Sequence, residues 1–525
     1  MNILSFFIVC FDGENMKKET ILYGTAILIL TNTAVKLMSL FYRSILIRFI
    51  GPEGLGLTEL MMPIYSFLIV IASLGIPLAI SNFISAEKEK NRIASILRTG
   101  TVLLAICGTA TVLITFALFP LLKDHLFADP RVIPAFFILI PSVFVISVFS
   151  SLRGYFQGTH RSSVLGKSQV VEQITRISAG IFLISLLMSK TSQIAVVIMG
   201  FAAASLIAEC CGGLYLWLIY RKDKTKSLGH FDKNIAKSMI QKGTPITMSR
   251  LVISATAAIQ AVWIPQALMN NGATMEEAAA FYGLFAGVAL TVLHLPSVVT
   301  GALTTPLMPS IAAADSNGMT LRRNHLIAKS IYFTMITALP VLALIFWYAK
   351  EICGILFASP EAGPILALLS IGGIFLYLQQ PILTILQGMN RFNRIFIHLC
   401  IADALYLIGL LLLDFHGLFS VNHLLLLFIG NDVLIFMLNY FYLIRMTGTK
   451  ISIWKTYLAP ILSVFGGFIV LIAAEKKIMQ TNIPEIGSMI LSACVFLLFY
   501  FLTMYFSGAM DKKTISELLS RQKHR

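Results

Sequence analysis

Apolar stretches of about 20 residues recur along almost the whole chain, and this pattern limits the chain to a membrane-spanning helical fold. A helix of that length crosses the roughly 30 Å hydrocarbon core of a bilayer. Charged residues make up 12% of the 525 residues, about half the share that soluble proteins carry. A soluble multidomain fold would lack the polar surface it needs, so the sequence predicts an all-α polytopic membrane protein.

A 19-residue hydropathy window predicts about fourteen transmembrane helices. They lie near 20–48, 58–84, 97–121, 132–152, 165–189, 193–220, 244–268, 279–304, 325–349, 362–386, 394–414, 421–444, 454–474 and 486–508. If the N-terminus is cytoplasmic, the cytoplasmic segments hold 29 of the 40 Lys and Arg residues, and the outward loops hold 7. The positive-inside rule predicts this bias for an even number of spans. We therefore expect a multi-pass protein of the cytoplasmic membrane whose N- and C-termini are both cytoplasmic.

Short motifs recur about 230 residues apart in the same order, and they predict an internal duplication. The pairs are Gln157-Gly158-Thr-His-Arg161 with Gln387-Gly388-Met-Asn-Arg391, Pro77-Leu78 with Pro306-Leu307, and Gly54-Leu55 with Gly283-Leu284. Transporters are commonly built from such repeats, with the substrate site between them. The predicted organisation is an N-terminal cytoplasmic segment (1–19), an N-lobe of six helices (20–220), a basic cytoplasmic linker (221–243), a C-lobe of six helices (244–444), two further helices (445–508) and a basic cytoplasmic tail (509–525).

The first span carries cations that an ordinary membrane helix avoids. Lys36 and Arg43 are seven residues apart, so they share one helix face about 10 Å apart along the axis. No acidic residue occurs between Thr20 and Pro52. Intramembrane charges are costly and indicate function by default, and such cations suit an anionic cargo. The alternative is that a cation reaches the interface, which we favour for Arg48 at the outer end of the span.

Other ionisable residues within spans leave alternatives open. Arg250 in the seventh span is equally compatible with a cavity and an interfacial position, and Glu59 opens the second span where it could meet Arg48 or Arg43. Glu172 and Arg176 are spaced i, i+4 and are predicted to pair. Four further residues are compatible with a proton or cation site or with hydrogen bonds between helices, and these are Glu209, His294, Asp403 and Asp432.

Three segments identify a resemblance to a known family. Gly51-Pro-Glu-Gly-Leu-Gly-Leu57, Leu74-Gly-Ile-Pro-Leu-Ala-Ile-Ser81 and Arg153-Gly-Tyr-Phe-Gln-Gly158 resemble the polysaccharide-exporter branch of the MOP superfamily. Within that branch the likeness is to the stage V sporulation protein B type, which is related to the MurJ-type lipid II flippases. The resemblance implies two six-helix lobes that rock around a central cavity. It also implies a groove for a lipid tail at the two C-terminal helices.

The resemblance further implies a cargo and a set of partners. The cargo would be a polyprenyl-pyrophosphate-linked sugar, flipped for spore cortex peptidoglycan, with membrane lipids and cell-wall synthesis proteins as partners. Its headgroup would bind Lys36, Arg43 and Arg250, with Glu59 and Arg48 in support. In the resembling proteins the first of these positions is commonly Arg, whereas Lys36 is a point charge without the guanidinium fork.

Several other functions fit the sequence less well. The basic residues lie between spans rather than in one patch, which argues against nucleic acid as a partner. No P-loop or H-E-x-x-H motif occurs, and the seven cysteines lack metal-ligand spacing, so we expect no enzyme, cofactor or metal site. The main alternative is a drug/cation antiporter of the same superfamily. That chemistry needs a membrane-embedded carboxylate, which the first and seventh spans lack.

Overall fold

The computed structural model describes residues 21–222, 229–297, 307–478, 480 and 484–510, in which every regular element is helical. The helices are α1 (Ile21–Ser73), α2 (Ile76–Ser85), α3 (Lys90–Leu126), α4 (Ile133–Gly158), α5 (Ser162–Met188), α6 (Ile194–Lys222), α7 (Lys233–Asn270), α8 (Met275–Tyr282), α9 (Leu290–His294), α10 (Leu307–Ser316), α11 (Thr320–Trp347), α12 (Ala349–Phe357), α13 (Gly363–Gly388), α14 (Phe392–Phe415), α15 (Val421–Thr447), α16 (Ala459–Ile478) and α17 (Glu485–Phe506). A π-helical segment, Gly283–Ala289, joins α8 to α9, and a second, Trp454–Leu458, precedes α16. The predicted segment 1–19, Pro306 of the repeat and residues 511–525 of the tail lie outside the described residues.

Helix α1 contains the first two predicted spans in a single element. Thirteen helices in the described residues are long and apolar enough to cross a membrane, and the first of them, Leu30–Ser73, has 44 residues. At 1.5 Å per residue it is about twice as long as a bilayer core is thick. The predicted loop after residue 48 was wrong, because the chain turns at Gly51 (φ 69°, ψ 177°) and Pro52 resumes the helix at once. The fourteen predicted segments are thus carried by thirteen helices.

The second predicted span, 58–84, is also divided. Leu74 and Gly75 both adopt positive φ (44° and 66°), and they separate α1 from α2. A Cβ on Gly75 would lie 2.6 Å from the carbonyl oxygen of Gly243 in α7, so the break packs closely against that helix. The first-turn proline of α2, Pro77, fits a helix start, because its missing N–H has no partner to lose there.

The chain forms two compact units. The first unit comprises Met1–Val288, Leu356–Ser359 and Leu411–Ser420. A core of buried aliphatic and aromatic side chains joins α2, α3, α4 and α6 in this unit, and its fully buried members include Ile80, Leu104, Phe156 and Leu216. It also contains α1, α5, α7 and α8, which carry most of the charged residues singled out from the sequence.

The second unit comprises Ala289–Ile355, Pro360–Leu410 and Val421–Arg525. Its core places the two C-terminal helices, α16 and α17, against α11. The Tyr500 hydroxyl donates to the Ile336 carbonyl oxygen at 3.2 Å. Glu475 accepts from Trp347 Nε1 at 3.1 Å and from the Tyr348 hydroxyl at 2.6 Å. The C-terminal pair is therefore tied to the rest of its unit by polar as well as apolar contacts.

One turn-and-helix segment occurs twice, 230 residues apart. Phe127-Ala-Asp-Pro130 precedes a 3₁₀ turn and the 26-residue helix α4, and Phe357-Ala-Ser-Pro360 precedes another 3₁₀ turn and the 26-residue helix α13. Sequence reasoning overlooked this pair, although its spacing equals that of the Gln157 and Gln387 motifs. It is an independent observation in favour of the predicted duplication.

Candidate functional site

The cationic face of α1 meets one carboxylate across the bend. Arg43 Nη2 lies 2.9 Å from Glu59 Oε1, and the Glu59 side chain is 12% exposed. In a straight helix these residues would be about 24 Å apart along the axis. The bend at Gly51 folds the second half of α1 back and so creates the pair. Of the two partners considered for Glu59, the structure therefore shows Arg43.

The π-helical segment of the chain packs beside this ion pair. A Cβ on Gly287 would meet Leu55 side-chain atoms and would come within 3.4 Å of Glu59 Cγ. On the same side of α1, a Cβ on Gly56 would fall 1.8 Å from the Ala279 carbonyl oxygen and 3.1 Å from the Gly283 nitrogen. Glycine here permits backbone contact between α1 and the start of the π-helical segment. π-helical turns are frequent at functional sites.

The remaining predicted cations are exposed. Lys36 and Arg250 are exposed, and neither forms an ion pair with another described residue. Helix α7, which carries Arg250, packs against α1, which carries Lys36. Arg48 is exposed near the bend. The structure thus brings Arg43 and Glu59 together, and it places Lys36 and Arg250 on adjacent helices without direct contact.

A second charged site joins α4, α5 and α6. Arg176 Nη2 lies 2.8 Å from Glu172 Oε1, which confirms the predicted i, i+4 pair, and 2.9 Å from Glu209 Oε1. Arg153 Nη2 reaches the other oxygens of the same two carboxylates, at 3.0 Å from Glu172 and 3.4 Å from Glu209. The four charges cancel, which allows them to lie inside a helical bundle. Sequence reasoning missed this cluster because Arg153 and Glu209 come from different helices.

The Gln157 and Gln387 motifs form the same turn. Two residues after the last residue of each helix, the chain adopts positive φ, 56° at His160 and 59° at Asn390. In both, the arginine N–H donates five residues back at 2.9 Å, from Arg161 to Phe156 and from Arg391 to Leu386. Gln157 and Gln387 are exposed. The shared backbone supports the predicted repeat, and it indicates a helix-capping role for these motif residues.

The glycines of the Arg153 motif have a packing role. A Cβ on Gly154 would lie 2.4 Å from the Pro77 carbonyl oxygen, and one on Gly158 would lie 2.7 Å from that of Ser81. Glycines four residues apart thus face carbonyls four residues apart on α2. Two of the three segments that carry the family resemblance therefore meet in one close helix contact.

One of the acids left open in the C-terminal half is held by a hydrogen bond between helices. Asn431 Nδ2 on α15 donates to Asp403 Oδ1 on α14 at 3.1 Å, and Asp403 is buried. This favours the helix–helix interpretation for Asp403. His294, another residue left open, hydrogen-bonds through Nδ1 to the Leu290 carbonyl oxygen at 2.6 Å within its own helix.

Comparison with known proteins decides the family. The family model described as "Polysaccharide biosynthesis protein" matches residues 21–315, more than half of the chain. The chain belongs to the polysaccharide biosynthesis protein family. This family member is 27% identical to stage V sporulation protein B of Bacillus subtilis (strain 168) over 392 residues, which are 71% of the chain and 74% of that relative.

Solved structures agree on the fold of this polysaccharide biosynthesis family member. The lipid II flippase MurJ in an inward closed conformation matches with a TM-score of 0.64 at 13% identity, covering 92% of this chain and 98% of that one. A multidrug resistance MATE transporter of the MOP superfamily, in an inward-facing conformation, also gives 0.64 at 15% identity, covering 81% and 98%. The predicted all-helical transporter fold is confirmed. The protein is a multi-pass membrane protein with the fold of these solved transporters.

Proposed function

We propose that this transporter flips a polyprenyl-pyrophosphate-linked cell-wall precursor, of the lipid II class, across the cytoplasmic membrane. The observation that carries the proposal is the cationic face of α1 in a chain of the polysaccharide biosynthesis family. A pyrophosphate needs cationic donors where water is scarce, and Lys36 and Arg43 supply them. One relative in sequence acts in sporulation, and one similar structure is a lipid II flippase, by their names.

The proposed cycle is alternating access between two six-helix lobes, with both termini cytoplasmic. The headgroup binds from the inner leaflet to Lys36, Arg43 and Arg250 while the tail stays in lipid. Glu59 holds Arg43 in the absence of cargo, and the incoming pyrophosphate competes with that carboxylate for the guanidinium. Arg48 adds positive potential near the bend.

A flipping assay with fluorescent lipid II in proteoliposomes tests both the function and its residues. We expect wild-type protein to expose the probe to an external quencher, and the double variant Lys36→Ala, Arg43→Ala to flip at least about tenfold more slowly, since each charge-assisted hydrogen bond contributes about 1.5–3 kcal/mol. Lys450→Ala, which removes an exposed cation outside the spans, is the matched control. Unchanged flipping by the double variant would reject the residues, and no flipping by wild type would reject the function.

The alternative is a drug/cation antiporter, and one matched structure is by its name a multidrug resistance transporter of the MOP superfamily. The cation-rich α1 opposes a cationic drug. Uptake of ethidium by the same proteoliposomes, driven by a proton or sodium gradient, would favour the alternative if it occurs without flipping.

A role in spore cortex peptidoglycan is the finer part of the proposal. The 27% identity to a sporulation protein supports it. Deleting the gene in its host should make a lipid-linked precursor accumulate during spore formation and leave vegetative growth normal. Accumulation during vegetative growth instead would assign the transporter to general wall synthesis.

A further inference from the structure

A cavity in the first unit opens between α3, α4 and α6, away from the charged sites described above. Its volume is about 340 Å³, at the lower end of the range for ligand pockets, about 300–1,000 Å³. Its wall is mainly apolar and aromatic, with Phe149, Trp217 and Tyr220, and its polar residues include Arg98 and Thr101. None of these residues belongs to the proposed transport site.

The surface around the cavity is apolar and is suited to contact with acyl chains. Val102 and Ile106 on α3 and Leu214 and Leu218 on α6 are exposed, with Ile106 59% exposed. Basic residues lie at the end of the two helices that borders the cavity, at the start of α3 (Lys90 and Arg92) and at the end of α6 (Arg221 and Lys222). That end is predicted to be cytoplasmic, and Trp217, which is 40% exposed, occupies the interfacial position where tryptophan is enriched.

Cations surround the mouth of the cavity. Arg98 is exposed and donates from Nη1 to the Gly229 carbonyl oxygen at 2.9 Å. Two further hydrogen bonds hold the segment that contains Gly229 on α3. His230 N donates to Ser95 Oγ at 3.1 Å, and Asp232 N donates to Thr99 Oγ1 at 3.0 Å. The Gly229 contact therefore fixes the Arg98 guanidinium beside the cavity.

The second cation comes from the end of α6. Arg221 Cζ lies 5.2 Å from the centre of the Trp217 ring, and Arg221 and the following Lys222 are both exposed. Among the acidic residues on this side, Glu87 is paired with Arg92 at 3.2 Å, and the Asp232 carboxylate caps α7, where it accepts from Asn234 N at 2.7 Å. Arg98, Arg221 and Lys222 thus supply cations at the mouth, and the wall beneath it is mainly apolar.

We propose that this cavity binds an anionic phospholipid of the inner leaflet, with the acyl chain against Phe149 and Trp217 and the headgroup phosphate between Arg98 and Arg221. Basic clefts between membrane helices on the cytoplasmic side recognise anionic headgroups in this way. The site is independent of the proposed transport of a lipid-linked sugar.

Native mass spectrometry of the full-length protein, with phosphatidylglycerol and phosphatidylcholine of identical acyl chains, tests the proposal. We expect wild type to retain phosphatidylglycerol preferentially. Neutralising each cation, as in Arg98→Gln and Arg221→Gln, should reduce retention about fivefold. Arg445→Gln, an exposed cation in the last turn of α15, should change nothing. Trp217→Ala should also lower retention of phosphatidylglycerol. If retention depended on charge alone, this variant would retain the lipid as wild type does.

Other outcomes would overturn the proposal. Equal retention of the two lipids by wild type would do so, and so would displacement of phosphatidylglycerol by millimolar inorganic phosphate, which would indicate a soluble anion. Displacement by a polyprenyl-pyrophosphate sugar would assign the cavity to the transported lipid. Because Arg98→Gln could disturb the Gly229 contact, the decisive variant is Arg221→Gln, whose thermal unfolding should match that of wild type while retention falls.

Discussion

At the scale of single residues, four charged side chains meet between α4, α5 and α6, outside the proposed transport face. Glu172 and Glu209 are 14% and 10% exposed, and each contacts both Arg153 and Arg176. Every carboxylate thus has two cationic partners, and every cation has two carboxylates. Removing one member leaves a surplus charge in a poorly solvated place, which is more costly than the intact cluster is stabilising.

The variant Glu209→Gln should therefore be strongly destabilised. We expect a loss of about 3–5 kcal/mol, because two guanidinium groups would share a single carboxylate. Thermal unfolding of the detergent-purified protein measures the loss, and Glu485→Gln, which changes an exposed acid at the start of α17, should stay within about 0.5 kcal/mol of wild type. A melting temperature of Glu209→Gln equal to that of wild type would show that the four charges are not coupled.

At the scale of elements, the bend of α1 depends on one backbone conformation. Gly51 has φ 69° and ψ 177°, a region that is essentially restricted to glycine. An added Cβ would meet nothing within 4 Å, so crowding plays no part. A substitution at Gly51 therefore tests backbone strain alone. The bend also decides whether Arg43 reaches Glu59.

Gly51→Ala should cost about 1–3 kcal/mol of stability. Gly430→Ala is the matched control, because its Cβ also meets nothing within 4 Å and its φ is not positive; in the middle of α15 it should be neutral or stabilise by up to about 1 kcal/mol. If Gly51→Ala lowers stability and Gly430→Ala does not, the difference is due to the positive φ at Gly51, because both substitutions add the same methyl group. Equal unfolding temperatures would mean that α1 tolerates a different bend.

At the scale of the whole molecule, the apolar windows predicted the spans well, since a 20-residue apolar helix has few alternatives to crossing a bilayer. They predicted a break between residues 48 and 58 but not its form, because hydropathy does not distinguish a loop from a single-residue turn at Gly51. The i, i+4 pair of Glu172 and Arg176 was predictable from helix geometry. Its partners Arg153 and Glu209 were not, because their meeting depends on how three helices pack.

The number of membrane crossings predicts the side of the membrane on which each terminus lies. The thirteen apolar helices found among the described residues would place the two termini on opposite sides if α1 crossed the membrane once. If α1 folds back at Gly51, as the ion pair between Arg43 and Glu59 requires, the crossings are even and the termini share one side. The excess of basic residues in alternate loops then makes that side the cytoplasm.

Green fluorescent protein, which folds only in the cytoplasm, should fluoresce when fused at either terminus. Alkaline phosphatase should be active when fused at Thr191 or His416 and inactive at Thr449. Fluorescence at the N-terminus together with phosphatase activity at Thr449 would mean that α1 crosses the bilayer only once, and Arg43 and Glu59 would then be too far apart to pair.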